Sequence, residues 1–146
     1  MNRLPNPEHA PDLYRDLLLK RALAWVVDLV ITVVITAVIV VLTVFIGLFF
    51  LPLLWIAVTV TYRAVTLTNY GATPGMMLLA LRLRHLNGNQ PGSVVCVWHS
   101  ALFSLTMATI VGQMISVGLI LITPYRQGLN DLILGTTMIN TYLEDQ

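Results

Sequence analysis

The chain has 146 residues, of which 57% are hydrophobic and 10% charged, with a formal net charge of +1. A soluble domain carries roughly 25% charged residues, so this chain cannot surround itself with an ordinary polar surface, and its mean hydropathy of +0.81 makes lipid the expected solvent. The near-neutral balance, with no Lys/Arg run, excludes nucleic-acid binding through bulk electrostatics, and a single cysteine, Cys96, excludes an intrachain disulfide or a CxxC metal or redox site.

Residues 1–21 read as a polar tail. Pro5, Pro7 and Pro11 keep its first half out of a helix, and from Asp12 a short helix with Leu13, Leu17 and Leu18 on one face is expected to lie on the membrane surface. The apolar stretch that follows runs too far for a cleavable signal peptide and lacks an A-x-A-like site. Asp28 is the only charge in residues 22–62. One helix of that length would be about 60 Å long, twice the hydrocarbon thickness, so two spans are expected, near 22–44 and 48–67, reversing where Gly47 and Pro52 permit a tight turn.

Turn residues return in Asn69-Tyr-Gly-Ala-Thr-Pro-Gly, with Thr73 and Pro74 as N-cap and first-turn residues. Leu81-Arg-Leu-Arg alternates like a strand, yet the same segment fits a surface helix with snorkelling arginines. Residues 94–123 contain no Asp, Glu, Lys or Arg. They suit either one tilted span, near 98–123, or two short legs that dip in and return. The tail from Tyr125 to Asn140 is mildly apolar and expected to pack at the surface. The fold class is therefore an all-α membrane protein with three transmembrane helices, the third either a single span or re-entrant or split, plus interfacial helices; residues 22–142 form its membrane domain.

Arg15, Lys20 and Arg21 precede the first span and Arg63, Arg82 and Arg84 follow the second, while the connection between the spans has no Lys or Arg. The positive-inside rule then places the N-terminus and the middle loop in the cytoplasm. A re-entrant third segment would bring the C-terminus back to that side.

Asp28 is the most informative residue. A carboxylate in a span costs up to about 2.5–3.5 kcal/mol at the helix centre, so it needs a partner. Arg21 lies seven residues earlier on the same face but about 10 Å along the axis, leaving Arg63 and Arg126 as the candidates. Thr32, Thr36 and Thr43 continue the Asp28 face, Thr59, Tyr62, Arg63 and Thr66 line the second span, and His99, Thr106, Thr109, Gln113 and Ser116 cluster in the third stretch. These stripes point either to hydrogen bonds between helices, at about 0.6 kcal/mol each, or to a hydrated cation or proton path. Ser104, Ala108, Gly112 and Ser116 recur every four residues, a small-residue pattern suited to helix packing within the chain or against a partner. No catalytic pair, metal-ligand cluster, Walker loop or dinucleotide fingerprint is present, so neither a cofactor nor an enzyme is expected.

Lys20-Arg21-Ala22 with Val27-Asp28, then Gly71-Ala-Thr-Pro-Gly75, then Gln127-Gly-Leu-Asn-Asp131-Leu-Ile-Leu-Gly135-Thr136, in this order, resemble the RDD family of bacterial membrane proteins. The resemblance spans roughly residues 14–142 and matches the arginine and two aspartates that name the family to Arg21, Asp28 and Asp131. Met76 stands where the family usually has a lysine, and His99 where it often has an arginine. The resemblance implies a cytoplasmic-membrane location, with transport proposed for some members. Two functions follow as expectations: an accessory or assembly subunit, homo-oligomeric or within a larger membrane complex, whose Arg/Asp residues hold the fold; or a small cation/proton exchanger with Asp28 as the titrating group.

Overall fold

The computed structural model describes residues 4–141; residues 1–3 of the expected tail and residue 142 of the expected membrane domain lie outside them. The first long helix, α1 (Leu17–Leu42), follows a 3-10 turn at Pro11–Tyr14. Its buried residues, Leu17, Ala24, Asp28, Thr32, Thr36 and Val40, recur at helical spacing and form one stripe. At 1.5 Å per residue it is about 39 Å long, enough to cross a bilayer. The reversal uses Val44 and Phe45 in the left-handed region (φ 51° and 64°) and a 3-10 turn at Ile46–Phe50. Pro52 then sits in the first turn of α2 (Leu51–Tyr70), where its missing N–H costs nothing. Gly71, at φ 68°, ends α2 by donating its N–H to the Leu67 carbonyl at 2.9 Å.

A one-turn helix, α3 (Pro74–Leu78), is capped by the Thr73 hydroxyl, which accepts from the Met76 N–H at 3.3 Å. Strand β1 (Leu81–His85) leads through a turn to α4 (Ser93–Met107) and α5 (Ile110–Ile122), then α6 (Leu129–Leu134) and β2 (Thr136–Asn140). The axis turns by 116° between α4 and α5, so the chain comes back more than it continues. The Thr106 and Thr109 hydroxyls bond back to the Phe103 and Thr106 carbonyls at the bend, the local competition that loosens a helix without proline. Pro11–Leu42 and Ile46–Tyr70 are long and apolar enough to cross a membrane, and α4 with α5 makes a third candidate only if the bent pair counts as one span.

The protein is mostly helical, but the all-α expectation needs a correction. β1 and β2 form an antiparallel two-stranded sheet, Leu81 opposite Asn140 and His85 opposite Thr136. Of the two readings open for Leu81–Arg84, the strand is the one adopted, with Leu81 and Leu83 fully buried. The tail expected at the surface is also corrected: every residue of β2 is buried. Its partner lies some 50 residues upstream, which no local pattern announces.

The N-terminal segment packs on this sheet. Leu13 and Leu17, read as a membrane-facing stripe, are buried in the protein with Tyr14, Leu67, Leu81, Leu83, Met138 and Ile139. Asn140 latches the segment down: its amide donates to the Asp12 and Arg15 carbonyls at 2.9 and 3.1 Å and its oxygen accepts from Lys20 Nζ at 2.6 Å. The conventional core thus sits at one end of the molecule, and Val33, Val38, Leu53, Ile56 and many other apolar side chains elsewhere on the helices are exposed. Asn140→Ala removes three hydrogen bonds at a buried position and should lower unfolding stability by about 2 kcal/mol, read as a depressed melting temperature of the detergent-solubilised protein with its helical signal retained.

Candidate functional site

Asp28 lies on the buried stripe of α1, 4% exposed, and four donors meet it. The Thr73 hydroxyl donates to Oδ2 at 2.6 Å, and the Tyr62 hydroxyl and Gly75 N–H donate to Oδ1, each at 2.9 Å. Arg63 Nη1 reaches Oδ2 at 3.4 Å, with its guanidinium stacked over the Phe103 ring at 3.8 Å. The Thr-Pro-Gly turn is therefore the seat of the carboxylate. Thr73 caps α3 and holds Asp28 with the same hydroxyl, and Gly75 has no side chain because the space is taken: a Cβ there would lie 2.3 Å from the Ala24 carbonyl oxygen and 2.7 Å from Asp28 Oδ1. Turn geometry explains Gly71; close approach to Asp28 explains Gly75.

Asp131, in α6, is the second centre and is 1% exposed. Arg21 Nη1 donates to its Oδ2 at 2.6 Å, His99 Nε2 lies 3.0 Å from Oδ1, the Gly128 N–H donates to Oδ2 at 3.1 Å and the Thr136 hydroxyl to Oδ1 at 3.3 Å. Burial alone would push this carboxyl's pKa up, yet Arg21 and His99 together outweigh it and hold the group well below the usual carboxylate range. Arg21 belongs to Asp131 rather than to Asp28, as its axial distance from Asp28 requires.

Arg21, Asp28, Arg63, His99 and Asp131 are thus gathered around two adjoining centres. Arg126 is not among them; its Nη1 donates to the Leu121 carbonyl at 3.0 Å, which removes it as a partner for Asp28. Nor do Ser104, Ala108, Gly112 and Ser116 form one stripe, because α4 ends at Met107 and the bend separates the first two from the last two. Ser116 instead accepts from the Leu129 N–H at 3.2 Å, tying α5 to α6. Gly112 packs under Thr109 at the bend, where a Cβ would meet its hydroxyl oxygen at 2.5 Å. Thr43 bonds its own helix at the Ile39 and Val40 carbonyls. Thr73, Gly75, Thr136, Gly128 and Asn130 were missed as site residues; the first two sit in a turn motif conspicuous in the sequence, and the others lie within the Gln127–Thr136 motif around Asp131.

Two cavities adjoin the network. One, of about 1200 Å³, opens between α1, α2 and α4; apart from Asp28, Thr32, Thr36, Thr59, Arg63 and Ser104 its walls are mostly apolar. The other, of about 400 Å³, is lined by Arg21, Arg63, His99, Gln113, Asn130 and Asp131 among others. No cluster of His, Cys, Asp or Glu among the described residues could hold a metal ion.

A comparison with protein families matches the RDD family over residues 16–135. The chain belongs to the RDD family. Comparisons with curated proteins and with solved structures found no match. In this RDD chain His99, at the position where the resemblance leads one to expect an arginine, supplies a nitrogen to Asp131, and Met76 is buried beside the network without adding charge.

Two outcomes follow. Gly75→Ala cannot be accommodated without moving either α3 or α1, and should depress the melting temperature by several degrees, whereas Gly92→Ala, with open space around it, should not. The folded-state pKa of Asp131 lies below its unfolded value of about 4, so its contribution is whole above that pH and is lost as pH falls through the folded value. Melting temperatures from pH 7 down to 3 should show a wild-type advantage over Asp131→Asn of about 3 kcal/mol near neutrality that shrinks below about pH 4; a constant gap would remove the linkage.

Proposed function

We propose that this RDD-family chain is an accessory or assembly subunit of a bacterial cytoplasmic-membrane complex, and that its Arg/Asp network holds the fold. The observation that carries this reading is the saturation of both carboxylates. Asp28 and Asp131 each receive four donors from the chain's own elements, leaving no oxygen of Asp28 standing open for a travelling cation. That weighs against cation/proton exchange at Asp28, since a working ion site must give up its ligands at every cycle.

The large groove supports the same reading. It lies along the lipid-facing flank of α1 and α2, and the hydroxyls of Thr36 and Thr59, both on its walls, are buried without a hydrogen-bond partner. The occupant we assign to it is a transmembrane helix of a partner protein carrying a polar side chain that meets those hydroxyls. The sheet supports a topology as well: β1 follows the second span, β2 lies near the C-terminal end, and the N-terminal segment packs on both. With the N-terminus in the cytoplasm, two spans and a re-entrant α4–α5 pair bring all three to that side.

Purification in mild detergent should recover a stoichiometric membrane partner. Ala37→Trp fills the groove from an exposed position and should leave the subunit folded while abolishing recovery of that partner. Wild-type protein that remains a lone chain, or a partner retained at full stoichiometry by Ala37→Trp, rules the groove out. Cation flux in vesicles that is present in wild type and lost in Asp28→Asn would favour exchange instead.

A further inference from the structure

The smaller chamber contains an imbalance that the fold does not resolve. Arg21 uses Nη1 for Asp131, and its Nε and Nη2 are buried with no partner among the described residues. Those two nitrogens form the side-on fork of the guanidinium, the edge that receives a planar or tetrahedral oxyanion through two parallel hydrogen bonds. Arg63, 4% exposed, likewise engages Asp28 through Nη1 and leaves Nε unpaired. Both arginines line the same chamber of about 400 Å³.

His99 and Asn130, on the same walls, also carry unmatched atoms. His99, 2% exposed, turns Nε2 to the Asp131 carboxylate. A carboxylate can only accept, so Nε2 carries the hydrogen, and Nδ1 is the other ring nitrogen. That Nδ1 has no partner, and neither does Oδ1 of Asn130, whose amide nitrogen is 3.4 Å from the Thr106 hydroxyl. Two arginine edges that donate, an amide oxygen that accepts and an unpartnered ring nitrogen thus belong to residues around one small space. The formal charges of Arg21 and Arg63 are balanced by Asp131 and Asp28, so the surplus is in directed hydrogen-bonding groups rather than in net charge. Leaving such groups unmet costs about 1–3 kcal/mol each, more where charged.

We infer that the chamber bounded by α1, α4, α5 and α6 is a binding site for a small oxyanion that retains a hydroxyl. The oxygens take the Arg21 fork and Arg63 Nε, and the hydroxyl donates to Asn130 Oδ1. Inorganic phosphate has this chemistry, as does the headgroup of a phosphatidate; sulfate has the oxygens without the hydroxyl at neutral pH. The site stands independently of whether the chain is an assembly subunit, since the chamber shares Arg63 with the lipid-facing groove but not Thr36 and Thr59, the residues proposed to meet a partner.

The test is calorimetric titration of the full chain in maltoside micelles, which carry no phosphate, at pH 7. The probes are inorganic phosphate, sulfate and dihexanoyl phosphatidate. Saturable binding is expected for phosphate or phosphatidate, with sulfate weaker by about tenfold, the worth of one hydrogen bond to a charged group. Binding by phosphatidate alone assigns the oxyanion to lipid, and binding by both assigns it to the free ion as well. Arg21→Lys keeps a cation for Asp131 but removes the fork, and Asn130→Asp sets a fixed negative charge against the chamber without changing its size. Each should weaken binding at least about tenfold, and the second variant serves should the first fail to fold. No saturable binding by the wild type, sulfate as tight as phosphate, or undiminished affinity in Asn130→Asp overturns the site and leaves the chamber to water.

Discussion

A carboxylate set two turns or more inside an apolar helix must be met by donors from its own chain, and the arrangement of this protein follows from that requirement. Asp28 draws α2 through Tyr62 and Arg63, and the α3 turn through Thr73 and Gly75. Asp131 draws α1 through Arg21, α4 through His99 and β2 through Thr136. Helix α1 contributes a cation to one centre and the anion to the other, seven residues apart on one face, so it is the spine on which both are assembled. Removing one partner of such a pair strands the other in a medium that cannot solvate it.

The network also divides the molecule. On its sheet side the chain packs as a water-soluble protein does, with a core of Leu17, Leu67, Leu81, Leu83 and Ile139 and polar side chains that latch backbone ends. On the other side α1 and α2 leave apolar side chains exposed and a wide groove between them. The hydrophobic effect does not drive helices together within lipid, because tails are as apolar as the side chains they touch. A long helix pair there needs directed contacts or a neighbouring protein, and the hydroxyls of Thr36 and Thr59 have none among the described residues. The packed core and the apolar groove thus fall on opposite sides of the same charges.

Much of the site was legible because charges are rare in this chain. With Asp28 the only acid in residues 22–62, its need for a cation and the long reach from Arg21 could be argued from helix geometry, which left Arg63 and Arg126 open; the structure pairs Arg63. The proposed pairing with Arg126 failed because a loop residue's direction depends on a backbone conformation, here φ 52°, that no periodicity reveals. The four-residue repeat from Ser104 to Ser116 failed for a related reason. It presumed an unbroken helix, and hydroxyl-to-carbonyl bonds at Thr106 and Thr109 compete with the helix in a way that composition does not weigh.

From its sequence alone this protein was bound to be a lipid-embedded, mainly helical member of the RDD family, since hydropathy, charge placement and the Arg21, Asp28 and Asp131 motifs are local properties that need no partner to be read. Only the tertiary structure decided that the third stretch folds back, that residues 136–140 are a buried strand, that Gly75 is a place of contact rather than a turn, and that Arg21 pairs with Asp131. Each of these is a relation between segments distant in the chain. Such relations are set by which groups must satisfy one another when water is absent, and no single stretch of residues records the choice.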